Sequence, residues 1–418
     1  MDSDPRAFLL GLFHAGVRAA SAAHCVPQNL PTPPRGRTLV VGAGKAAAAM
    51  AKAVEDHWQG PLSGLVITRY GHGVPCRAIE IVEAGHPVPD EAGLAAAKRM
   101  LALVQGLTKD DLVLALISGG GSSLFALPAP GITLDDKQAI TRALLKSGTP
   151  IAEINCVRKH LSAVKGGRLA LAAQPATVVS LIISDIPGDD PETVASGPTV
   201  PDSTTREQAL AILHKYEIAI PPAVKTWLES PAAETPKPGH AAFAKGRSRI
   251  IARARDALAA AAGEAEAAGL SVIDLGDDIE GEARAVARDH AELALRYRAE
   301  KKSYVLISGG ETTVTVKGNG RGGRNSEYLL ALALALDGAS GVWAIACDTD
   351  GIDGTETNAG AIIGPDTLAR GTDLGADAKA ALARNDAYGF FERLGDLVET
   401  GPTRTNVNDF RAILIRPS

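Results

Sequence analysis

The chain has 418 residues, of which 45% are apolar and 22% charged, with a net charge of −5 and a pI near 6.0. This composition is typical of a globular protein, and the length predicts two or three domains rather than one core. The acidic balance and the aromatic content of 4% argue against binding to nucleic acid or to an anionic membrane.

The four cysteines are scattered and form no CxxC pair, which predicts reduced thiols in a cytoplasmic protein rather than disulfides or a zinc site. The N-terminal residues 5–24 have the apolar spacing of an amphipathic helix and lack the layout of a signal peptide. No apolar run approaches about 20 residues, so no transmembrane helix is expected.

The first glycine turn follows a predicted strand over residues 37–41 and reads Gly42-Ala43-Gly44-Lys45. A predicted alanine-rich helix follows it, and this strand, turn and helix form a phosphate-binding layout. A lysine at a helix N-terminus opposes the helix dipole unless an anion lies nearby. This favours an anion site at Gly44 and Lys45 over a solvent-exposed lysine.

The second glycine turn follows the apolar run over residues 112–117, which suits a strand buried on both faces of a parallel sheet. Glycines let a backbone approach a ligand closely, and serines add hydroxyl donors. Alone, such a turn is equally compatible with a plain connection. Because similar turns recur in this chain, we favour ligand binding by the residues of this turn: Ser118, Gly119, Gly120, Gly121, Ser122 and Ser123.

Other loops of the first half also carry polar residues. His86 lies between glycine and proline in a rigid loop and is as compatible with a structural as with a ligand-binding role. A predicted strand over 177–183 leads to Asp185 and Asp189, which could hold Mg²⁺ or act as a general base. Aspartates beside glycine and proline are also common turn formers. The basic stretch 158–168 is predicted as a solvated face or an anion site.

A proline-rich, charged segment over residues 231–240 predicts a domain boundary, with domains at 1–235 and 236–418. Beyond it, a predicted strand leads into Ser308-Gly309-Gly310-Glu311, which echoes the second glycine turn and predicts another phosphate- or hydroxyl-binding turn. Residues 314–317 are predicted to pair as an antiparallel strand.

Two further motifs of the second half could bind ligands. Arg324 and Asn325 end a glycine-rich basic loop, where an arginine can fork onto a carboxylate or phosphate. A later predicted strand ends at Asp348, followed by Asp350 and Asp353. These aspartates are candidates for a metal site or a base, or are turn formers.

Taken together, nine motifs resemble the bacterial-type glycerate 2-kinases. They occur in the family's order through nearly the whole chain and read VVGAGKAA, GHPVPDEAG, LISGGGSSL, VRKHLSAVKGGRLA, SDIPGDDPETVASGPTVPD, LISGGETTV, GRGGRNSE, DTDGIDGTE and GPTRTNVND. The resemblance implies an α/β fold of two domains. The N-terminal domain would be Rossmann-like, a parallel sheet with helices on both faces. The smaller C-terminal domain, known as MOFRL, would have a mixed sheet.

The resemblance also implies a reaction, in which the γ-phosphate of ATP passes to the C2 hydroxyl of D-glycerate with a divalent metal, Mg²⁺, in a cleft between the domains. It points to Lys45 and Arg324 as the basic pair that faces the cleft. We assign Asp189 as the general base and Asp185 or Asp348 as the metal ligand. The remaining binding residues are expected to be Gly44, His86, Ser118–Ser123, Gly309, Gly310, Glu311 and Asn325.

The chain departs from the family pattern at two places. Arg253-Ala254-Arg255 stands where an asparagine is expected, which could alter nucleotide or interdomain contacts. Ser326 replaces the usual glutamine, a milder change. The sequence leaves open which domain binds adenine and whether the protein is a homo-oligomer.

Two other function classes compete with the kinase. An NAD(P)H-dependent hydroxypyruvate reductase would use the turn at Gly42 as a relaxed dinucleotide motif. However, Arg69 and Tyr70 follow the second strand, where NAD binding needs an acidic residue, so only NADP would fit. That function also leaves the second glycine turn without a role. A non-catalytic sugar-acid sensor would need a segment that transmits a signal, and none is recognisable.

Overall fold

The computed structural model describes residues 4–416. Its strands are β1 (Thr38–Ala43), β2 (Leu62–Arg69), β3 (Ile79–Ala84), β4 (Leu112–Ser118), β5 (Thr177–Ile183), β6 (Arg247–Ala252), β7 (Ser271–Asp274), β8 (Ile279–Glu282), β9 (Tyr304–Ser308), β10 (Gly310–Thr313), β11 (Val342–Asp348), β12 (Gly360–Ile363), β13 (Leu397–Val398) and β14 (Asp409–Ile415).

The helices occupy most of the connections between these strands. They are α1 (Pro5–Ala19), α2 (Ala22–Cys25), α3 (Ala47–His57), α4 (Glu91–Leu103), α5 (Gly121–Leu124), α6 (Leu134–Lys146), α7 (Ile151–His160), α8 (Arg168–Ala172), α9 (Arg206–Lys215), α10 (Pro222–Glu229), α11 (Ala254–Ala267), α12 (Ala283–Ala299), α13 (Arg324–Leu336), α14 (Thr367–Asp373), α15 (Ala378–Ala383) and α16 (Ala387–Leu394).

The chain divides into two compact units. We call residues 25–251 the parallel-sheet unit, and residues 252–416 together with residues 4–24 the mixed-sheet unit. The division differs from the predicted domains 1–235 and 236–418 in two ways. The change of unit comes after residue 251, because β6 still belongs to the first sheet. The N-terminal helix joins the second unit rather than the first.

The parallel-sheet unit contains a six-stranded sheet in the order β3-β2-β1-β4-β5-β6. The pairings among β1 to β5 are all parallel. Every residue of β1 and β4 is buried, so both faces of the sheet centre are covered, as a continuous apolar run predicts. This strand order is that of doubly wound dinucleotide-binding sheets. The predicted parallel sheet with helices on both faces is therefore confirmed.

The mixed-sheet unit has a six-stranded sheet in the order β13-β12-β11-β14-β9-β7. Its pairs are antiparallel except for the parallel pair of β7 and β9. Alternate residues of β9, β11 and β14 pack into two cores, one with α12 and α13 and the other with α1 and α11. The prediction of a mixed sheet in the second domain is confirmed.

Helix α1 forms part of the core of the mixed-sheet unit. Its apolar residues Leu9, Leu12 and Phe13 are at most 1% exposed and belong to the same core as β14. Asp4 caps the helix by accepting a hydrogen bond from Arg6 N, and proline occupies the first position. The predicted amphipathic helix over 5–24 is present, but it ends at Ala19.

No single helix within residues 4–416 is long and apolar enough to cross a membrane. One bent pair, Pro5–Ala19 with Ala22–Asn29 at 48°, reaches the required length and composition together. The four cysteines are free thiols, in agreement with the prediction.

Candidate functional site

The first two glycine turns lie side by side at the carboxyl ends of two central strands of the parallel sheet. Strands β1 and β4 are neighbours at the point where the strand order reverses, and open α/β sheets bind ligands outside the carboxyl ends of strands at such a point. Lys45 follows β1, and its backbone N–H donates a hydrogen bond of 2.8 Å to Gly119 O after β4. The sheet therefore joins the two turns that the sequence singled out.

Gly44 and Ser118 hold the two turns in contact. Gly44 has φ +143°, and a Cβ atom there would lie 2.1 Å from Ser118 Oγ. The Ser118 hydroxyl accepts a 3.0 Å hydrogen bond from Ala46 N and is fully buried. Ser118 therefore supports the Lys45 turn, and its buried hydroxyl is already engaged by the backbone of that turn.

Gly120 brings Lys45 and His86 to one point. It adopts φ +78°, and a Cβ atom on it would lie 2.9 Å from His86 Nε2 and 3.2 Å from Lys45 Cγ. Both side chains are half-buried. Three residues from separate predicted motifs thus converge, and any side chain larger than hydrogen at position 120 would push against the imidazole.

The serines of the turn are partly engaged by the protein itself. Ser122 Oγ lies 2.8 Å from Ser196 Oγ, and the Ser123 hydroxyl donates to Gly120 O over 3.1 Å. Ala195 and Ser196 have φ of +52° and +60°. Non-glycine residues in this region of φ are strained, and such strain clusters at functional sites. The loop against the turn is therefore held in a costly conformation.

The acidic loop after β5 contains one aspartate that forms the turn and two aspartates that are candidate site residues. Asp190 accepts hydrogen bonds from Glu192 N and the Thr193 hydroxyl, so it shapes the loop. Asp185 and Asp189 are half-buried, and Asp189 has φ +52°. Since β5 pairs with β4, this loop leaves the sheet next to the second glycine turn.

Arg324 lies at the first position of α13 in the mixed-sheet unit and is surrounded by carboxylates. Its Nε donates to Asp409 Oδ1 over 2.8 Å, its Nη1 to Glu311 Oε1 over 2.9 Å and its Nη2 to Asp348 Oδ2 over 2.8 Å. Burial opposes the charge, but the three carboxylates raise the pKa of Arg324 above its usual value. Here the guanidinium binds the protein's own carboxylates rather than presenting an open fork.

Asn325 and Asp353 serve the start of α13. Asp353 is fully buried and accepts hydrogen bonds from the backbone N–H groups of Asn325 and Ser326 and from the Ser326 hydroxyl. Asn325 donates to Asp409 Oδ1 over 2.8 Å. Burial raises the pKa of Asp353, and the helix N-terminus favours its charged form. Both residues therefore have a structural use in addition to any contact with a ligand.

The third glycine turn is not an open phosphate loop. Gly310 begins β10, which pairs in parallel with β8, and a Cβ atom on Gly310 would lie 2.3 Å from the backbone of Ile279. Gly309 N donates to Gly276 O, and Gly309 O accepts from Arg411. The predicted binding role of Gly309 and Gly310 therefore competes with strand pairing, and the strand expected at 314–317 lies at 310–313 instead.

The two predicted metal ligands, Asp185 and Asp348, belong to different units. Within residues 4–416, no group of three or more His, Cys, Asp or Glu side chains is arranged to hold a metal ion. Asp348 accepts hydrogen bonds from Arg324 and from Asp350 N. Its carboxylate is already neutralised by a guanidinium.

The basic stretch 158–168 was predicted as a solvated face or an anion site, and it is mostly buried. Lys159 forms an ion pair of 3.1 Å with Asp202, while Lys165 is fully buried beside a cavity that Arg158 also lines. Lys137 lines the same cavity and was not predicted as a site residue. The signal was present, since Lys137 occupies the apolar face of α6 together with Ile140 and Leu144.

Comparisons with known proteins agree over nearly the whole chain. Residues 8–229 match a domain of unknown function, DUF4147, and residues 304–409 match the MOFRL family. The chain is 43% identical over 399 residues to a D-glycerate 2-kinase of Thermotoga maritima, with 94% of each covered. It is 54% identical over 421 residues to an Agrobacterium vitis protein named provisionally as a hydroxypyruvate reductase, which covers 99% of this chain and 95% of that protein.

A solved structure has the same fold. The crystal structure of a glycerate kinase from Thermotoga maritima matches with a TM-score of 0.91 at 41% identity, covering 98% of this chain and 99% of that one. The sequence and structure comparisons therefore both find glycerate kinases as similar proteins.

Proposed function

Because the chain belongs to the glycerate 2-kinase family, which joins DUF4147 to MOFRL, we propose that it transfers the γ-phosphate of ATP to the C2 hydroxyl of D-glycerate. The observation that best supports this reaction is the convergence of Lys45 and His86 on Gly120 at the reversal of strand order. A cation beside a glycine turn suits the charged oxygens of a phosphoryl group.

In the proposed mechanism, the C2 oxygen of glycerate bonds to the γ-phosphorus as the bond between that phosphorus and the bridging oxygen of ADP breaks. Asp189 accepts the hydroxyl proton. Lys45 neutralises charge on the transferred group, and the amides of the Gly119–Gly121 turn donate to its oxygens. Phosphoryl transfer depends mainly on positioning and charge neutralisation, so few protein groups need to react.

Mg²⁺ is commonly held by one or two carboxylates together with substrate phosphates. Asp185 fits this requirement as a half-buried carboxylate after a sheet strand. Asp348 fits it poorly while Arg324 occupies its Oδ2. When bound with ATP, the ion would neutralise charge on the phosphates.

The kinase proposal is tested by following ADP release with D-glycerate and MgATP. Lys45→Ala is expected to lower kcat by about 10²–10³-fold, because it removes a preorganised charge from the transferred group. Lys98→Ala, an exposed lysine of α4, is the matched control and should retain full turnover. Wild-type protein that releases no ADP in the presence of glycerate would refute the proposed reaction.

A hydroxypyruvate reductase is the second candidate, favoured by the name of the Agrobacterium vitis relative and by a strand order shared with dinucleotide-binding sheets. Against it, β2 ends at Arg69, and the acidic residue that would bind the ribose of NAD is missing there. The same protein preparation assayed for NADPH oxidation with hydroxypyruvate separates the two. Oxidation without glycerate-dependent ADP release would favour the reductase.

A further inference from the structure

A cavity of about 390 Å³ lies within the parallel-sheet unit, next to the second glycine turn. One part of its wall is apolar and includes Val88, Ala126 and Leu134. The other part is basic and includes Lys137, Arg158 and Lys165. A volume of this size, with an apolar wall and a few polar groups, is typical of sites for small ligands.

Two lysines of this wall, Lys137 and Lys165, are buried without a compensating charge, and Arg158 beside them is half-buried. Lys137 is 7% exposed, and among residues 4–416 its Nζ has no hydrogen-bond partner. Lys165 is 0% exposed, and the one hydrogen bond of its Nζ within the described chain goes to Ala195 O over 3.3 Å. Within residues 4–416, no carboxylate forms an ion pair with Lys137, Lys165 or Arg158.

Neighbouring residues show what a satisfied buried cation looks like in this protein. Lys159 is buried on the same helix as Arg158, and it pairs with Asp202 at 3.1 Å and Glu192 at 3.6 Å. The buried Lys159 is therefore paired with carboxylates, whereas the nearby Arg158 and Lys165 have no such partner within residues 4–416.

In their protonated forms, the three side chains also repel one another. Burial, and then the charge of Arg158, lower the pKa of Lys137 to about 7. Burial lowers the pKa of Lys165 well below its usual value, with further contributions from Lys137 and Arg158. An uncompensated buried charge is costly, and a bound anion removes that cost.

We propose that Lys137, Arg158 and Lys165 bind the phosphate oxygens of a phosphorylated ligand in this cavity. A cluster of three cations matches a ligand with several negative charges better than the single carboxylate of glycerate. The cavity also adjoins Gly120 and Ser123 of the turn assigned to phosphate. The two sources of such a phosphate are the triphosphate chain of ATP and the phosphoglycerate product. This choice of sources rests on the proposed function.

The test measures dissociation constants by titration calorimetry for wild type and Lys137→Met, which preserves length and removes the charge. The probes are inorganic tripolyphosphate, ATP, 2-phosphoglycerate and D-glycerate. Lys137→Met should weaken binding of tripolyphosphate and of at least one phosphorylated metabolite by tenfold or more, and leave D-glycerate within twofold. The metabolite whose binding is weakened identifies the source of the phosphate. Lys146→Met, exposed on the same helix, is the control.

Three results would overturn the proposal. In the first, wild type does not bind tripolyphosphate. In the second, Lys137→Met binds every phosphorylated probe as tightly as wild type does. In the third, Lys137→Met weakens the binding of D-glycerate alone. Because tripolyphosphate needs no catalytic turnover, its binding separates failure of this site from failure of the kinase assignment. Arg158→Gln provides a second variant with the same expectations. Thermal unfolding without ligand confirms folding, and Lys137→Met should melt above wild type.

Discussion

At the scale of single residues, the molecule places charges where their own environment does not favour them. Lys137 is the clearest case, since its Nζ lies on the apolar face of α6. Its folded pKa of about 7 is below the ordinary 10.5, so the neutral form is favoured on folding. The resulting penalty is fully present below pH 7 and disappears as the pH rises above 10.5.

Lys137→Met should therefore raise the free energy of unfolding of the ligand-free protein by about 3–5 kcal/mol at pH 6–7, with a smaller gain at pH 9. Urea denaturation at both pH values measures the gain. Anion binding should in turn draw a proton onto wild-type Lys137 at pH 8, a proton uptake visible as a buffer-dependent heat. A variant less stable than wild type at every pH would contradict this account.

Arg324 shows the opposite arrangement, because a single guanidinium neutralises several carboxylates. Arg324→Ala would leave Asp348 and Glu311 without their cation, and Asp409 with Arg411 alone. We expect a loss of about 3–5 kcal/mol in unfolding free energy, measured by denaturant titration. Loss of activity in this variant would then report on stability as well as on chemistry. Arg321→Ala removes a guanidinium that is half-exposed where it pairs with Glu356, and it should cost under about 1 kcal/mol.

Single-residue roles were the hardest to predict from sequence. The glycine and serine turn was recognised because its residue types are unusual, and Lys45 because it follows a glycine turn. Lys137 was missed because a lysine on an otherwise apolar stripe looks like an isolated exception. The involvement of Arg324 with three carboxylates was not predictable, since Glu311, Asp348 and Asp409 are distant from it in sequence.

At the scale of elements, Asp111 ties the start of the central strands together. It accepts hydrogen bonds from Thr108 N over 2.7 Å and Arg37 N over 2.6 Å, and its own carbonyl accepts from Thr177 N. The residues thus joined precede or begin β1, β4 and β5. The hydrogen bond from Thr108 N, and those from Arg37, hold the pKa of Asp111 well below its ordinary value despite burial.

Asp111→Asn should cost about 1–3 kcal/mol at pH 7, because an amide accepts these hydrogen bonds less well and adds a donor. The folded pKa is depressed, so this stability is present above pH 4 and is lost as the pH falls below it. Urea denaturation at pH 7 and pH 3 should show the gap between wild type and variant narrowing in acid. A gap that stays constant would argue against a charged Asp111.

Elements with strong local signals were predicted well. The apolar run at 112–117 forms β4, which is buried along its whole length, as its lack of polar alternation predicts. The pairing of β10 with β8 was missed because it depends on Ile279–Glu282, a segment about thirty residues earlier with no strand signal of its own. The predicted antiparallel strand at 314–317 was wrong for this reason.

At the scale of the whole molecule, the unit boundaries do not follow chain order. Phe13→Ala should remove about 3–5 kcal/mol of packing from the mixed-sheet unit, because its ring is fully buried against Phe410. Hydrogen exchange followed by mass spectrometry should show faster exchange in α11 and β14 while β1 and β4 keep their protection. Equal acceleration in both units would contradict the assignment of α1 to one of them.

The placement of α1 has a consequence during synthesis. Residues 25–251 form one continuous stretch, so the parallel-sheet unit can fold as soon as it leaves the ribosome. Helix α1 is made before the parallel-sheet unit but packs against β14, which is made after that unit. The apolar side of α1 must therefore remain without this partner while the residues between them are translated, at about 5–20 residues per second. Helix α1 completes its packing only when β14 has left the ribosome.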